Sequence, residues 1–196
     1  MQATPVIRRY NRARGIGRAG RPIILPAYQT SLGGTETCHA VRGATNQDST
    51  AYDPQARRYY GLTAEACSIY TKTHNGGVHA AVRNFTPRAQ TVVRAFRGNG
   101  GKVALAIKLP EAPARNCPSV PGSNYAGTLT TVGGRLFYGE MAGAFPAGNV
   151  KTGRSLWHFQ TDRRRWKGDP MTDLARRRQY VAIAPGPTII AFALTP

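Results

Sequence analysis

The last third of the chain, residues 133–194, is the stretch that most constrains the fold. It holds four short apolar runs separated by glycine, proline, asparagine and Thr-Gly punctuation, within residues 133–139, 147–160, 179–184 and 189–194. Short strands at this spacing, joined by tight turns, are typical of antiparallel all-β proteins. No long stretch repeats its apolar residues every 3.6 positions, so we expect little helix.

One step in this stretch predicts a hairpin. Asn149 and Gly153 are residue types that accept the positive φ of a tight turn. Leu156, Trp157 and Phe159 follow, and aromatic and large apolar residues suit the strand that leaves such a turn. The sequence therefore predicts a β-hairpin around Thr152-Gly153.

The charge of the chain is unusual for an all-β protein. Lys and Arg number 27 against 9 acids, which gives a formal net charge of +18. Such an excess favours binding to phosphates or anionic surfaces, and basic clusters lie at Arg8–Arg21 and Arg163–Lys167. One hypothesis is therefore a non-enzymatic basic module that binds nucleic acid or anionic surfaces. The alternative explanation is coding bias without a functional role.

The sequence also bears on location. No run of 18 apolar residues occurs, so no transmembrane segment is predicted. Met1–Pro5 has no apolar signal-peptide core, so we expect no signal peptide and, for the chain as given, a cytoplasmic location.

A motif in the hairpin region carries a family resemblance. Ala147, Asn149, Thr152, Gly153 and Trp157 match the pattern Ala-x-Asp-x-x-Thr-Gly-x-x-x-Trp, with asparagine in place of aspartate. This is the tryptophan-docking motif of quinoprotein propellers. With the segments 123–129, 170–172 and 189–194, it forms an ordered set that resembles the C-terminal portion of pyrroloquinoline quinone (PQQ)-dependent alcohol dehydrogenases, which are eight-bladed β-propellers.

The resemblance implies an all-β fold, a partial β-propeller made of the C-terminal blades, with a low helix content. The expected organisation is a basic, poorly ordered N-terminal arm over residues 1–22, followed by the partial propeller over residues 23–196. Its two nearly complete blades are expected at about 41–109 and 126–161, and its incomplete blade at 170–194. Ile189–Leu194 would then be an apolar edge that lacks the strand which closes a propeller.

The resemblance also implies an oxidoreductase reaction. The family oxidises alcohols to aldehydes by hydride transfer to PQQ with the help of calcium; a lanthanide remains the alternative metal. The intact enzymes are periplasmic, act on a small alcohol and pass electrons to a cytochrome c or quinone acceptor. Their catalytic base and metal ligands come from blades that precede this stretch. We therefore predict no catalytic residue and no metal ligand here, a fragment that is inactive alone, and a complementary N-terminal half as a partner.

Four residues are candidates for contact with the cofactor. Asn46 and Gln47 follow Gly43 in a turn whose asparagine in relatives hydrogen-bonds the edge of PQQ. Trp166 and Lys167 match a loop that faces the central funnel, where the ring could cover the plane of PQQ and the amine could pair with a carboxylate. The alternatives stay open: Asn46 as a locally satisfied turn residue, and the Trp166 loop as a solvated basic loop.

Two further positions bear on the site. Pro5 stands where relatives have a lysine that contacts the cofactor, and proline offers neither charge nor amide donor, so we expect weak PQQ binding by this chain alone. Cys38 and Cys67 match the placement of a disulfide in methanol dehydrogenase-like relatives, and export would permit it. The alternative is two reduced thiols; Cys117 is expected to be free.

Overall fold

The computed structural model describes residues 4–41, 43–81, 90–110, 126–161 and 166–193. These residues form sixteen short strands and a single 3₁₀ turn at Pro26–Tyr28. The strands are β1 Ala13–Ile16, β2 Pro22–Ile24, β3 Thr35–Cys38, β4 Ala51–Asp53, β5 Arg58–Glu65, β6 Cys67–Lys72, β7 Val78–Ala81, β8 Gln90–Arg97, β9 Val103–Lys108, β10 Thr128–Thr131, β11 Arg135–Tyr138, β12 Ala144–Asn149, β13 Ser155–Gln160, β14 Met171–Ala175, β15 Arg178–Ile183 and β16 Ile190–Ala193. The expected all-β class is confirmed.

The strands pair into five sheets, and every ladder between them is antiparallel. Three of these sheets follow one another along the chain: sheet I with order β4-β5-β8-β9, sheet II with order β10-β11-β12-β13, and sheet III with order β14-β15-β16. The remaining two are β3-β6-β7 and the hairpin β1-β2. In sheets II and III, strands that follow one another in sequence are neighbours in the sheet. In sheet I the chain leaves after β5, forms β6 and β7 of another sheet, and returns as β8 beside β5.

The two middle strands of sheet II, β11 and β12, are buried on both faces, since the side chains of a strand alternate between the faces of its sheet. Leu136 and Tyr138 pack with Tyr60 and Val93 of sheet I. Phe137, which points the other way, packs with Phe145 of its own sheet and with Val181 and Ile183 of sheet III. Sheets I, II and III therefore stack face to face in chain order, which is how propeller blades pack.

The predicted hairpin around Thr152-Gly153 is confirmed between β12 and β13. Asn149 Oδ1 accepts hydrogen bonds from the backbone amides of Lys151, at 2.9 Å, and Thr152, at 3.0 Å. Gly153 has a φ of 73°, and a Cβ there would lie 2.9 Å from Ile107 Cγ1 of sheet I. Glycine is thus required both by the backbone conformation and by the close approach of the neighbouring sheet.

Sheet III has three strands where sheets I and II have four. β16 pairs with β15 on one side, and within the described residues no strand pairs with its other side. Large apolar side chains on and beside this sheet are exposed, including Met171, Leu174 and Ile189, the last at 76%. Sheet III thus has an open edge and an uncovered face.

The N-terminal segment runs beside sheet I. Residues 1–22 are expected from the sequence to form a basic, poorly ordered arm. In the structure β1 pairs with β2, which begins at Pro22, and Ile7 is buried. The Arg8 amide donates to the carboxylate of Glu65 at 3.0 Å, and Glu65 also pairs with the buried Arg94. No helix in the described part of the chain has the length and apolar character needed to cross a membrane.

Candidate functional site

Three loops converge at one end of the stacked sheets. Each precedes the first strand of its sheet: residues 43–50 lead into β4, residues 126–127 into β10, and residues 166–170 into β14. The first strands of sheets I and II, β4 and β10, contact each other, and hydrogen bonds of Asp169 bring the loop that enters sheet III beside theirs. In propeller proteins this position borders the central funnel.

Asp169 joins the three loops. Its Oδ1 accepts a hydrogen bond from the Gly127 amide at 2.7 Å and another from the Ser49 amide at 3.1 Å. The Thr128 amide in turn donates to the Ser49 carbonyl at 2.9 Å. One carboxylate oxygen thus holds the entrances of sheets I and II against the loop that enters sheet III.

The sequence-predicted polar residues lie on two of these loops. Asn46 and Gln47 are exposed on the loop that Ser49 ends, and Lys167 is exposed two residues before Asp169. The Lys167 amide donates to the Ala184 carbonyl at 3.0 Å, which fixes the backbone of its loop on sheet III. The hydrogen bonds of Asp169 Oδ1 with the Ser49 and Gly127 amides, which we call the Asp169 clamp, therefore bring the two predicted segments to the same end of the molecule.

Trp166 lies elsewhere than expected. Its side chain is fully buried, its Nε1 donates to the Glu140 carbonyl at 2.8 Å, and its ring centre is 5.8 Å from that of Phe145. Gly139 permits this burial, because a Cβ there would lie 2.7 Å from the indole Nε1. In this structure the ring fills the interface between sheets II and III and does not present a face to a bound ligand. Arg163, Arg164 and Arg165, the basic residues expected beside it, lie outside the described residues.

Trp157 belongs to the same interface but is exposed, at 41%. Its ring centre lies 5.1 Å from that of Phe192 in β16, at nearly perpendicular planes, and 6.5 Å from that of Phe145. Edge-to-face pairs of this kind stabilise contacts beyond the area that they bury. The tryptophan of the motif therefore links sheet II to sheet III.

The titratable groups near Trp166 are shifted by burial. Burial raises the pKa of the Glu140 carboxyl, and the nearby His158 partly offsets this. Burial, and then the charge of Glu140, raise the pKa of Tyr138 to about 12. Both shifts favour the neutral form of the side chain, so the surroundings of Glu140 and Tyr138 behind the loops are weakly polar.

Cys38 and Cys67, the pair implied by the resemblance, are joined by a disulfide across the β3-β6 ladder. Glu36 lies close to both sulfur atoms. These three groups have the composition of a metal site, but the two sulfurs are bonded to each other and offer no thiolate. Cys117 lies outside the described residues.

Sequence reasoning missed Asp169 and Gly127. The available signal was Asp169-Pro170 directly before a strand, since aspartate before proline often accepts hydrogen bonds from nearby backbone amides. Any side chain at position 127 would collide with this carboxylate, because a Cβ there would lie 2.6 Å from Asp169 Oδ1. Glycine is needed for the carboxylate to reach the amide.

Comparison with known proteins finds homologues of this chain. No protein-family model matches it. The lanthanide-dependent methanol dehydrogenase of Methylacidiphilum fumariolicum is 30% identical over 180 residues, covering 85% of this chain and 28% of the relative. The 1-butanol dehydrogenase (quinone) of Thauera butanivorans is 30% identical over 155 residues, which is 74% of this chain and 22% of the relative. The chain thus spans less than a third of these relatives.

Solved structures agree in fold. A europium-containing methanol dehydrogenase superposes with a TM-score of 0.72 at 26% identity, over 93% of this chain and 32% of that one. The quinohemoprotein alcohol dehydrogenase of Comamonas testosteroni superposes with a TM-score of 0.75 at 21% identity, over 91% of this chain and 28% of that one. The chain is therefore a homologue of the PQQ-type methanol and alcohol dehydrogenases, and its partial coverage of them is consistent with the C-terminal portion that its sequence resembles.

Proposed function

We propose that this chain is the C-terminal part of a PQQ-dependent alcohol dehydrogenase and contributes blades and one wall of the cofactor funnel. The observation that carries the proposal is the Asp169 clamp, which gathers the entrances of three consecutive sheets at one end. Such a gathering of loops at the inner strands is where a propeller builds its site. The chain's 30% identity to a methanol dehydrogenase supports the same proposal.

The residues present fit the edge of PQQ and not its plane. Asn46 and Gln47 offer exposed amides, which can both donate to and accept from the quinone and carboxylate oxygens of the cofactor. Lys167 offers an exposed cation for a carboxylate. Trp166 is buried and offers no stacking surface. We therefore assign Asn46, Gln47 and Lys167 to holding the rim of the cofactor.

Bound PQQ would supply the hydride acceptor, with calcium or a lanthanide beside it, and neither the base nor the metal ligands are assigned to this chain. Its own residues orient the cofactor's edge and keep the funnel wall rigid through Asp169. The buried cluster of Trp166, Phe145 and Phe137 keeps water out of the interface behind that wall. On this proposal the isolated chain is inactive.

The open edge of β16 suggests what completes the protein. Sheet III has no fourth strand within the described residues, and an antiparallel strand from a complementary N-terminal half would supply that ladder. In the intact enzyme we expect a small alcohol as substrate and a cytochrome c or quinone as acceptor, and the name of the 1-butanol dehydrogenase (quinone) supports the quinone. The disulfide suits an oxidising compartment such as the periplasm.

The proposal has two separate tests. The purified chain, supplied with PQQ, calcium or a lanthanide, and methanol or ethanol, should reduce no artificial electron acceptor; turnover would contradict the inactivity. The coding DNA upstream of Met1 should continue, in frame or after a frameshift, into the missing blades. If the missing blades were encoded neither upstream of Met1 nor in a separate gene, the assignment as part of a dehydrogenase would be contradicted.

A second candidate function rests on the surface charge. Arg8, Arg12, Arg14, Arg18 and Arg21 are all exposed, and the formal net charge is +18. A non-enzymatic module that binds nucleic acid or an anionic surface would be retained on heparin until high salt and would shift DNA in a gel. Binding abolished by modest salt would leave only non-specific attraction.

A further inference from the structure

An open cavity of about 360 Å³ lies at the end of sheet I that is remote from Asp169. β4 leaves the Asn46 loop at Ala51 and ends at Asp53, and the turn after it, with the β8-β9 turn beside it, forms the cavity. Its walls include Tyr52, Arg57, Arg58, Arg97, Gly98 and Asn99. We call this the arginine pocket.

The arginine pocket collects positive charge that the fold does not neutralise. Arg58 and Arg97 lie directly opposite each other on β5 and β8, a pairing of like charges that disfavours the sheet. Within the described ranges, no carboxylate forms an ion pair with Arg57 or Arg97. The acid nearest in the ladder is Asp53, which is buried and accepts the Ala56 amide at 2.7 Å. The charge is therefore left for a ligand.

Arg57 has a backbone conformation that arginine seldom adopts. Its φ is 51°, in the left-handed region where glycine and asparagine are the usual residues. Its carbonyl accepts the Gly98 amide at 3.0 Å, so the turn is tied to the neighbouring strand. The turn therefore holds Arg57 at the rim of the cavity.

The other walls suit a small organic molecule. Arg58 Nη1 donates to the Lys151 carbonyl at 2.7 Å and to the Val150 carbonyl at 3.3 Å, which anchors the guanidinium beside the cavity. Tyr52 is 54% exposed, and its ring lines the cavity beside Gly98. The volume is within the usual range for small-molecule sites and larger than a bare oxyanion needs.

We propose that the arginine pocket binds the phosphate group of a small organic phosphate, with the organic part lying against Tyr52. Planar guanidinium groups match phosphate oxygens with paired hydrogen bonds, and Arg57, Arg58 and Arg97 all line the cavity. An aromatic ring at the rim adds a surface on which a planar group can stack. This site is separate from the proposed cofactor wall and does not depend on it.

Isothermal titration calorimetry of the full 196-residue chain at low salt tests the proposal, with AMP, inorganic phosphate and adenosine as probes. AMP should bind at a single site, inorganic phosphate about tenfold or more weakly, and adenosine not at all. Arg57→Asn and Arg97→Gln should each weaken AMP binding about tenfold or more. Equal affinities for AMP and inorganic phosphate would overturn the organic part of the proposal.

Arg176→Asn is the matched control. Arg176 is also exposed and also has a positive φ, 49°, but lies in the turn between β14 and β15 of sheet III. The substitution removes the same charge and relieves the same backbone conformation, so AMP binding should stay within about twofold of the unmodified chain. An equal loss in this variant, or no saturable AMP binding, would overturn the site.

Two further readouts keep the result decisive. Arg57→Asn should unfold at no lower temperature than the unmodified chain, because asparagine tolerates its backbone conformation. Arg97→Gln alters an exposed side chain and gives the same comparison if Arg57→Asn fails to fold. A single-stranded oligonucleotide that binds while AMP does not would overturn the proposal in favour of a nucleic-acid backbone.

Discussion

Asp169 accepts the backbone amide of Gly127 at 2.7 Å, across 42 residues of sequence. The same oxygen accepts the Ser49 amide, so a single carboxylate fixes the entrances of two sheets that are distant in sequence. This link lies at the loops themselves, next to the predicted cofactor contacts.

Replacing Asp169 by alanine should destabilise the chain. Two backbone amides would lose their acceptor, and Gly127 is buried away from water. We expect a loss of about 1–3 kcal/mol in the free energy of unfolding, measured by denaturant titration. Asp169→Asn keeps an acceptor oxygen and should lose less.

The control is Asp173→Ala, because Asp173 is exposed and its Oδ1 accepts only the adjacent Leu174 amide among the described contacts. Its effect should stay within about 0.5 kcal/mol. Equal losses for the two alanine variants would show that the Asp169 clamp has no special structural role.

Gly139→Ala should disrupt the seat of Trp166. The new Cβ would lie 2.6 Å from the Ala126 Cβ and 2.7 Å from the indole, and neither can retreat within a packed interface. The cost of such overpacking is about 1–3 kcal/mol. A matched Gly33→Ala change, which meets nothing within 4 Å, should leave the midpoint of unfolding almost unchanged. Tryptophan fluorescence should shift to longer wavelength in the first variant only.

Stability should depend on the ionisation of Glu140. Burial raises its folded-state pKa above the ordinary value of 4.5, so the folded state favours the protonated carboxyl. The stability this contributes is fully present below the unfolded-state pKa and is lost as pH rises through the folded-state pKa. Glu140→Gln, which is neutral at every pH, should therefore raise the unfolding temperature near about pH 7 and have little effect near about pH 4. A constant difference between the two proteins across this range would contradict the assignment.

The Cys38–Cys67 disulfide should contribute strongly to stability. It spans 29 residues, and a loop of that length restrains the unfolded chain by about 3–4 kcal/mol on the chain-entropy model. A double Cys38→Ser, Cys67→Ser variant, or the chain in reducing buffer, should unfold at a correspondingly lower denaturant concentration. Cys117→Ser, at the cysteine predicted to be free, is the control and should unfold like the unmodified chain. Unfolding midpoints that do not respond to reductant would contradict the prediction.

The sequence was sufficient for the fold class and for particular turns. Asn149 and Gly153 determine their hairpin through local chemistry, a side-chain acceptor and a positive φ, and these can be read from neighbouring residues. The alternation of Leu136, Phe137 and Tyr138 is also local, although the sequence does not say which sheet covers which face.

The sequence was not sufficient for Trp166 or Asp169. A tryptophan next to Lys167 in a basic loop looks exposed, and its burial depends on Gly139, Ala126 and Phe145, which lie far from it in sequence. The role of Asp169 depends in the same way on two amides more than 40 residues away. Contacts of this kind arise only once the sheets have stacked, so no local pattern specifies them.

The burial of β11 on both faces of sheet II constrains which sequence changes this strand can tolerate. Because neighbouring residues of β11 belong to different interfaces, the loss or gain of one residue there would exchange Phe137 with Leu136 or Tyr138 and place each against the wrong partner. Substitutions that preserve side-chain size can accumulate at these positions, whereas a one-residue shift of the strand register would not be tolerated. We expect variation in this lineage to change residue identities within β11 and to leave its length fixed.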